Sequence, residues 1–256
     1  MKKYYHPLRE YTKYKRPKLF FKFLNIFLRP VTGNAEVEWR TPEPAEPSVF
    51  VVNHTHTYAP LSMQFNFTRK SRPWANAYTL TYKNGIKLFY NKIAYDLKPR
   101  FIAKLGAIIL MPLINLYFRS LDPIPVYHDI RIRSAFNKSA ETLNEGIDLV
   151  IYPEKNIKPF QKYINDLEPG FVHLAPHYYE QTGKKIKFYP VYCCKDLKKI
   201  IVGEPIEYDP DKNIKEQRKE ITDYIVKAIV EIGDSLPEHT IYYNKEYPPE
   251  INKFNF

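Results

Sequence analysis

Residues 49–60 read VFVVNHTHTYAP. Four apolar, mostly β-branched residues in a row predict a short strand buried on both faces. The run stops at Asn53 and His54. In open α/β sheets the chemistry lies outside the carboxyl ends of the strands, so His54 stands where a working histidine is expected. About 100 residues later, DLVIY at 148–152 predicts a second buried strand, closed by Pro153 and Glu154. Two strand ends, each carrying an ionisable residue, predict one site assembled from distant segments.

The remaining chain alternates strand and helix signals. Residues 60–68 predict a short helix after the first strand. The prolines at 123 and 125 mark 122–127 as an edge or strand-end segment. Ile132, Phe136, Ala140 and Leu143 recur at helical spacing, with Gly146 as the stop. Residues 187–192 and 199–203 predict two more strands. Asp209 and Pro210 read as the cap and first turn of a helix carrying Ile214, Ile221, Ile225, Ile229 and Ile232 on one face. Strands alternating with helices predict an α/β fold, a central, mostly parallel sheet flanked by helices. The expected organisation is an N-terminal interfacial helix and Pro-rich connector over 1–47, an α/β domain over 48–240 and a C-terminal tail over 241–256.

Residues 18–29 read KLFFKFLNIFLR, with Lys18, Lys22, Asn25 and Arg29 on one polar stripe and Leu, Ile or Phe elsewhere. Such a segment is too short to span about 30 Å of hydrocarbon. A basic stripe opposite an apolar face suits a helix lying in the membrane interface; the same face would also cap a core. Residues 105–118 are again apolar, interrupted by Pro112, and read as a buried helix or a second membrane-dipping one. The formal charge of +11 favours anionic partners. Basic residues are scattered and no nucleic-acid module is present, so the expected partner is an anionic membrane surface and no nucleic acid. Adjacent Cys193 and Cys194 do not form a strain-free bridge and point to a reducing compartment.

In order, the motifs resemble those of the glycerolipid acyltransferase family, which acylates lysophosphatidic acid and related lysophospholipids. The family's Asn-His-x4-Asp block corresponds to Asn53 and His54, and its second block to residues 124–128, ending in His128. Its Phe-Pro-Glu-Gly-Thr-Arg block corresponds to Tyr152, Pro153 and Glu154. Residues 169–175 and 189–191 follow its Gly-x3-Leu-Ala and Pro-Val patterns. The resemblance implies transfer of a fatty acyl group from acyl-CoA or acyl carrier protein to a lipid hydroxyl, in phospholipid biosynthesis, without cofactor or metal. It implies a peripheral or monotopic protein on the cytoplasmic membrane face. His54 is then the general base, with Glu154 as the second catalytic group. Asn53, His56, Tyr58, His128, Lys155 and Lys158 are the expected substrate-binding residues. Three positions depart from the family pattern: Ala59 replaces the orienting aspartate, His128 an arginine, and residues 155–157 (Lys, Asn, Ile) the Gly-Thr-Arg ending.

Two other readings fit parts of the sequence. An acyltransferase-fold protein without transferase activity accommodates the three departures. A metal-dependent hydrolase would use His54 and His56 as ligands, His-x-His after a strand being a known ligand spacing.

Overall fold

A computed structural model describes residues 33–55, 58–77, 121–127, 129–155 and 162–242, with isolated positions 26, 80, 101, 105, 106, 108 and 109. The chain divides into two compact units. One holds Phe27–Arg72 and Phe136–Glu246, the other Met1–Ile26, Pro73–Ala135 and Tyr247–Phe256.

The first unit is built on a mixed, mostly parallel sheet. Its strands are β1 (Glu36–Trp39), β2 (Val49–Val52), β5 (Asp148–Ile151), β6 (Lys187–Cys194), β7 (Lys199–Val202) and β8 (Ile206–Glu207), in the order β1-β7-β6-β2-β5 with β8 beside β6. The β1–β7, β6–β2 and β2–β5 pairs are parallel, and β7 and β8 run antiparallel to β6. β2 and β5 are buried along their whole length, as their unbroken apolar sequences require of strands covered on both faces. The second unit contributes β3 (Ser71–Asn76), which begins in the first unit, and β4 (Ile124–Val126); the two pair in parallel.

Helices cover the sheet of the first unit. They are α1 (Tyr58–Asn66), α2 (Ile132–Asn144, entering this unit at Phe136), α3 (Leu174–Thr182) and α4 (Ile214–Asp234). A 3-10 turn at Pro169–His173 leads into α3. One aromatic cluster closes the core: Phe50 meets Phe67 edge-on at 4.9 Å and stacks on Tyr189 at 5.2 Å. The isoleucine face read from sequence holds, with Ile221, Ile225, Ile229 and Ile232 all buried. The helix start does not. Asp209 and Pro210 precede α4 as a turn closed by Asp209 on the Asp211 N–H. The cap is Asn213, whose side chain accepts from the Lys215 N–H at 2.9 Å. Asn outcompetes because it sits one residue before the first helical position, where its oxygen reaches that amide.

Pro190 lies in the middle of β6, where a missing N–H would break a ladder. Its carbonyl accepts from Gly203 at 2.9 Å, one residue past the end of β7, so the missing N–H falls where the regular β6–β7 pairing stops. The expected N-terminal interfacial helix lies outside the described residues except for Ile26, which is helical and exposed. Among the described residues no helix is long and apolar enough to cross a membrane.

Candidate functional site

The parallel pairing of β2 with β5 has a constant offset: Val49 faces Leu149, Phe50 faces Val150 and Val51 faces Ile151. Carried three residues further, that register sets His54 opposite Glu154. The two strand ends therefore meet, although 100 residues of chain separate them.

Two carboxylates bracket β5 and do the same job at its two ends. Asp148 accepts the backbone N–H of Ser48 at 2.8 Å. Glu154 accepts the backbone N–H of His54 at 2.8 Å through one oxygen and that of Asn165 at 2.9 Å through the other. Each acidic side chain thus ties the flank of β2 to the flank of β5 beyond the reach of the ladder. At the far end Asp148 is also bound by Arg69, at 2.7 Å and 3.1 Å. Among the described residues Glu154 has no such cation, and burial pushes its carboxyl above the usual range, the two amide N–H donors offsetting only part of the effect. The His54 ring is half-buried and meets the Tyr152 ring edge-on, with centroids 5.5 Å apart.

Asn53 is placed differently from the expected substrate contact. It is buried at 1% exposure. Its side-chain oxygen accepts from the Cys193 N–H at 2.7 Å and its amide donates to the Cys193 carbonyl at 3.3 Å. The side chain imitates a strand backbone and extends the β2–β6 pairing past Val52, which fixes where His54 leaves the sheet. Cys193 and Cys194 are free thiols buried in β6, and burial pushes both up, away from thiolate chemistry.

Tyr58 opens α1, its N–H bonded to the Thr55 carbonyl at 3.0 Å, and burial pushes its phenol up. Ala59 is fully buried beside it, and its methyl group offers the His54 ring no hydrogen-bond acceptor. Lys155 follows Glu154, its N–H bonded to the Asp166 carbonyl at 2.8 Å. His56, His128 and Lys158 lie outside the described residues. Among the described residues no three His, Cys, Asp or Glu side chains are grouped to hold a metal ion.

Two further side chains stand around this strand end, Asn165 beside Glu154 and Arg218 facing Lys155 across an open cleft. Asn165 is buried at 1% exposure, with neither its side-chain oxygen nor its nitrogen hydrogen-bonded among the described residues. An unsatisfied buried amide costs about 1–3 kcal/mol, which sets Asn165 apart from an ordinary core residue. Arg218, on α4, has its Nε buried without a hydrogen-bond partner. No periodicity marks Asn165, whereas Arg218 was visible as part of a basic face at the start of α4.

Glu154 also yields a pH prediction. Its carboxyl is raised in the fold, so between the ordinary carboxylate value and the raised one the unfolded chain has lost a proton the folded chain still holds. Stability falls as pH rises through that window. Glu154→Gln removes this titration. The urea midpoint of wild type minus that of Glu154→Gln is expected to decrease as pH rises from about 4; a difference that grows with pH would show that Glu154 is held as a stabilised carboxylate.

The fold and this site define an α/β protein that presents a histidine at one strand end, its backbone held by a half-buried glutamate from the neighbouring strand. No protein-family model matches the chain, and no curated protein sequence matches it. Among solved structures it is similar to the 1-acyl-sn-glycerophosphate (LPA) acyltransferase PlsC from Thermotoga maritima, with a TM-score of 0.47 and 13% identity, over 91% of this chain and 89% of that one.

Proposed function

We propose that the chain is an acyltransferase that moves a fatty acyl group from an acyl thioester, carried by coenzyme A or acyl carrier protein, to the hydroxyl of a lysophospholipid or similar glycerolipid. The observation that carries this reading is the meeting of His54 and Glu154 at adjacent parallel strand ends, together with the order of motifs around them. A ring nitrogen of His54 takes the proton of the acceptor hydroxyl as its oxygen bonds to the thioester carbonyl carbon. The C–S bond then breaks, and the imidazolium returns the proton to the leaving thiolate. An ester and a free thiol result, and the balance needs no oxidant or cofactor. Glu154 acts as a positioning residue, since both its oxygens face backbone amides.

Membrane association belongs to the same reading. Phe101, Leu105, Ile108 and Ile109 are helical and exposed, at spacings that fall on one side of a helix. Together with the basic charge of the chain, this side suits the cytoplasmic face of an anionic bilayer.

The test is acyl transfer from a labelled thioester, offered both on coenzyme A and on acyl carrier protein, to a panel of lysolipids presented in vesicles. Labelled lipid and free thiol are expected in equal amounts. Thioester left intact with every acceptor would replace this proposal with an acyltransferase-fold protein that does not transfer. That alternative draws on the buried Ala59. Activity abolished by a chelator and restored by a divalent metal would favour the hydrolase instead.

A further inference from the structure

Residues 165–168 are zipped to the strand end that carries Glu154. The Lys155 N–H donates to the Asp166 carbonyl at 2.8 Å, the Glu168 N–H donates to the Pro153 carbonyl at 2.7 Å, and Leu167 bridges Glu154. The Asn165 N–H donates to one Glu154 oxygen and the His54 N–H to the other. Whatever fixes the backbone of this segment therefore fixes the carboxylate against residue 54.

Tyr163, two residues upstream, is gripped from several directions. Its ring lies on Gly233 of α4, where an added β-carbon would fall 2.6 Å from the ring. It stacks on His239 with centroids 5.5 Å apart and meets Tyr192 of β6 edge-on at 5.7 Å. Its hydroxyl donates to Asp234 at 3.2 Å, and Lys162 pairs with the same carboxylate. His239 is itself fastened at both nitrogens. A carbonyl only accepts, so Nδ1 donates to Pro237 at 2.7 Å, and Nε2 of the neutral ring accepts from the Tyr192 hydroxyl at 2.7 Å.

Three features around this segment run against local stability. Tyr163 has φ of 71°, in the left-handed region that a bulky side chain rarely occupies. Gly233 sits inside a helix, where alanine would be favoured. Its φ is not positive, so what it supplies is room for the Tyr163 ring rather than backbone freedom. Asn165 keeps its side-chain amide buried without a hydrogen bond among the described residues. Strain of this kind persists only where surrounding contacts over-determine it, and it gathers at working sites. The contacts that hold it here come from β6, from α4 and from the segment after α4, and the backbone they hold ends on Glu154.

We propose that Tyr163 is a positioning residue, wedged between Gly233 and His239 so that its left-handed turn delivers the Asn165 N–H to Glu154 and thereby sets residue 54 at the strand end. Its bearing on acyl transfer rests on the function proposed above; its hold on the Glu154 carboxylate does not.

Amide hydrogen exchange in the full chain, read residue by residue by NMR, tests the hold without requiring catalysis. The Ser48 N–H, bound by Asp148 at the opposite end of the same two strands, is the internal reference. Tyr163→Ala and Gly233→Ala should each speed exchange at His54 and Asn165 by roughly 3- to 10-fold, as when one hydrogen bond loosens, and leave Ser48 as in wild type. Gly233→Ala is the sharper of the two, because helix propensity alone predicts that it tightens α4. Tyr163→Phe keeps the ring and should behave as wild type. In turnover, Tyr163→Ala should lower kcat by about 10- to 100-fold with KM little changed, the signature of a displaced base rather than of lost binding. Equal acceleration at Ser48, or unaltered exchange at His54 and Asn165 in both folded variants, overturns the inference, since Tyr163 then only packs. Undiminished kcat in a variant whose His54 amide exchanges faster overturns its bearing on catalysis. Faster exchange at His54 and Asn165 alone, in a chain whose wild type transfers no acyl group, would keep the wedge and remove only the proposed function.

Discussion

Replacing His54 by alanine is expected to lower the rate of acyl transfer by about 10²- to 10⁴-fold, the range of a general base, or roughly 3–5.5 kcal/mol of barrier. The fold should survive the change. Glu154 holds residue 54 through its backbone N–H, a contact that an alanine keeps, and the His54 side chain is only half-buried. The measurement is thioester consumption with a responsive lysolipid acceptor, beside thermal melts of both proteins. A melt within a degree or two and a collapsed rate would identify His54 as the base. A folded His54→Ala protein with undiminished turnover would remove histidine chemistry from this site altogether. Glu154→Gln separates the neighbouring role: it retains an oxygen for one of the two backbone amides, so its rate should fall less than that of His54→Ala.

The second large effect concerns stability at the opposite end of the same two strands. Arg69→Ala should destabilise the protein by about 3–5 kcal/mol, the usual cost of leaving a buried charge without its partner. Asp148 is 2% exposed, and its carboxylate takes two hydrogen bonds from Arg69 and one from the Ser48 N–H. Arg69 also donates to the Pro44 carbonyl at 2.7 Å, so it anchors the Pro-rich connector to the start of β5. Without the guanidinium, burial would drive Asp148 further above the usual carboxylate range, which it already exceeds. The comparison is the urea midpoint of Arg69→Ala with that of Arg69→Met/Asp148→Asn, which removes the charge along with its partner. The double variant should recover part of the loss. Equal midpoints for wild type and Arg69→Ala would show that the pair contributes nothing net.

The two carboxylates of β5 illustrate what each level of description decides. Asp148 and Glu154 look alike in sequence, each flanking the same apolar run. Only the pairing of β2 with β5 shows that both accept an amide from a residue 100 positions earlier, and only the assembled fold sets Arg69 on one carboxylate and the Asn165 N–H on the other. The Asn-His pair was likewise legible as a motif but not as a division of labour. Asn53 faces into the sheet and completes the pairing to Cys193, whereas His54, one residue on, is half-buried against Tyr152.

By itself the sequence determined the elements whose pattern is strong and local. The unbroken apolar runs gave β2 and β5, because a strand covered on both faces has no polar alternation to preserve. The isoleucines of α4 gave its buried face, because helical spacing leaves one side for the core. Tertiary structure decided the rest. β1 reads EVEW, a weak strand with alternating charge. It forms because β7 offers a parallel partner and Lys199 pairs with Glu38 at 2.9 Å. β3 carries Pro73 and no apolar run, so nothing local selects it, and β4 supplies its pairing. One open cleft, lined by Lys155, Lys215, Arg218 and Lys219 against Asp166 and Asp223, joins segments some 60 residues apart. The spacing of the cations on α4 is readable from sequence, but the charge surplus exists only once the strand end is laid against that helix. Long-range pairing and the field of grouped charges are properties of the assembled chain, since both depend on distances that no local pattern encodes.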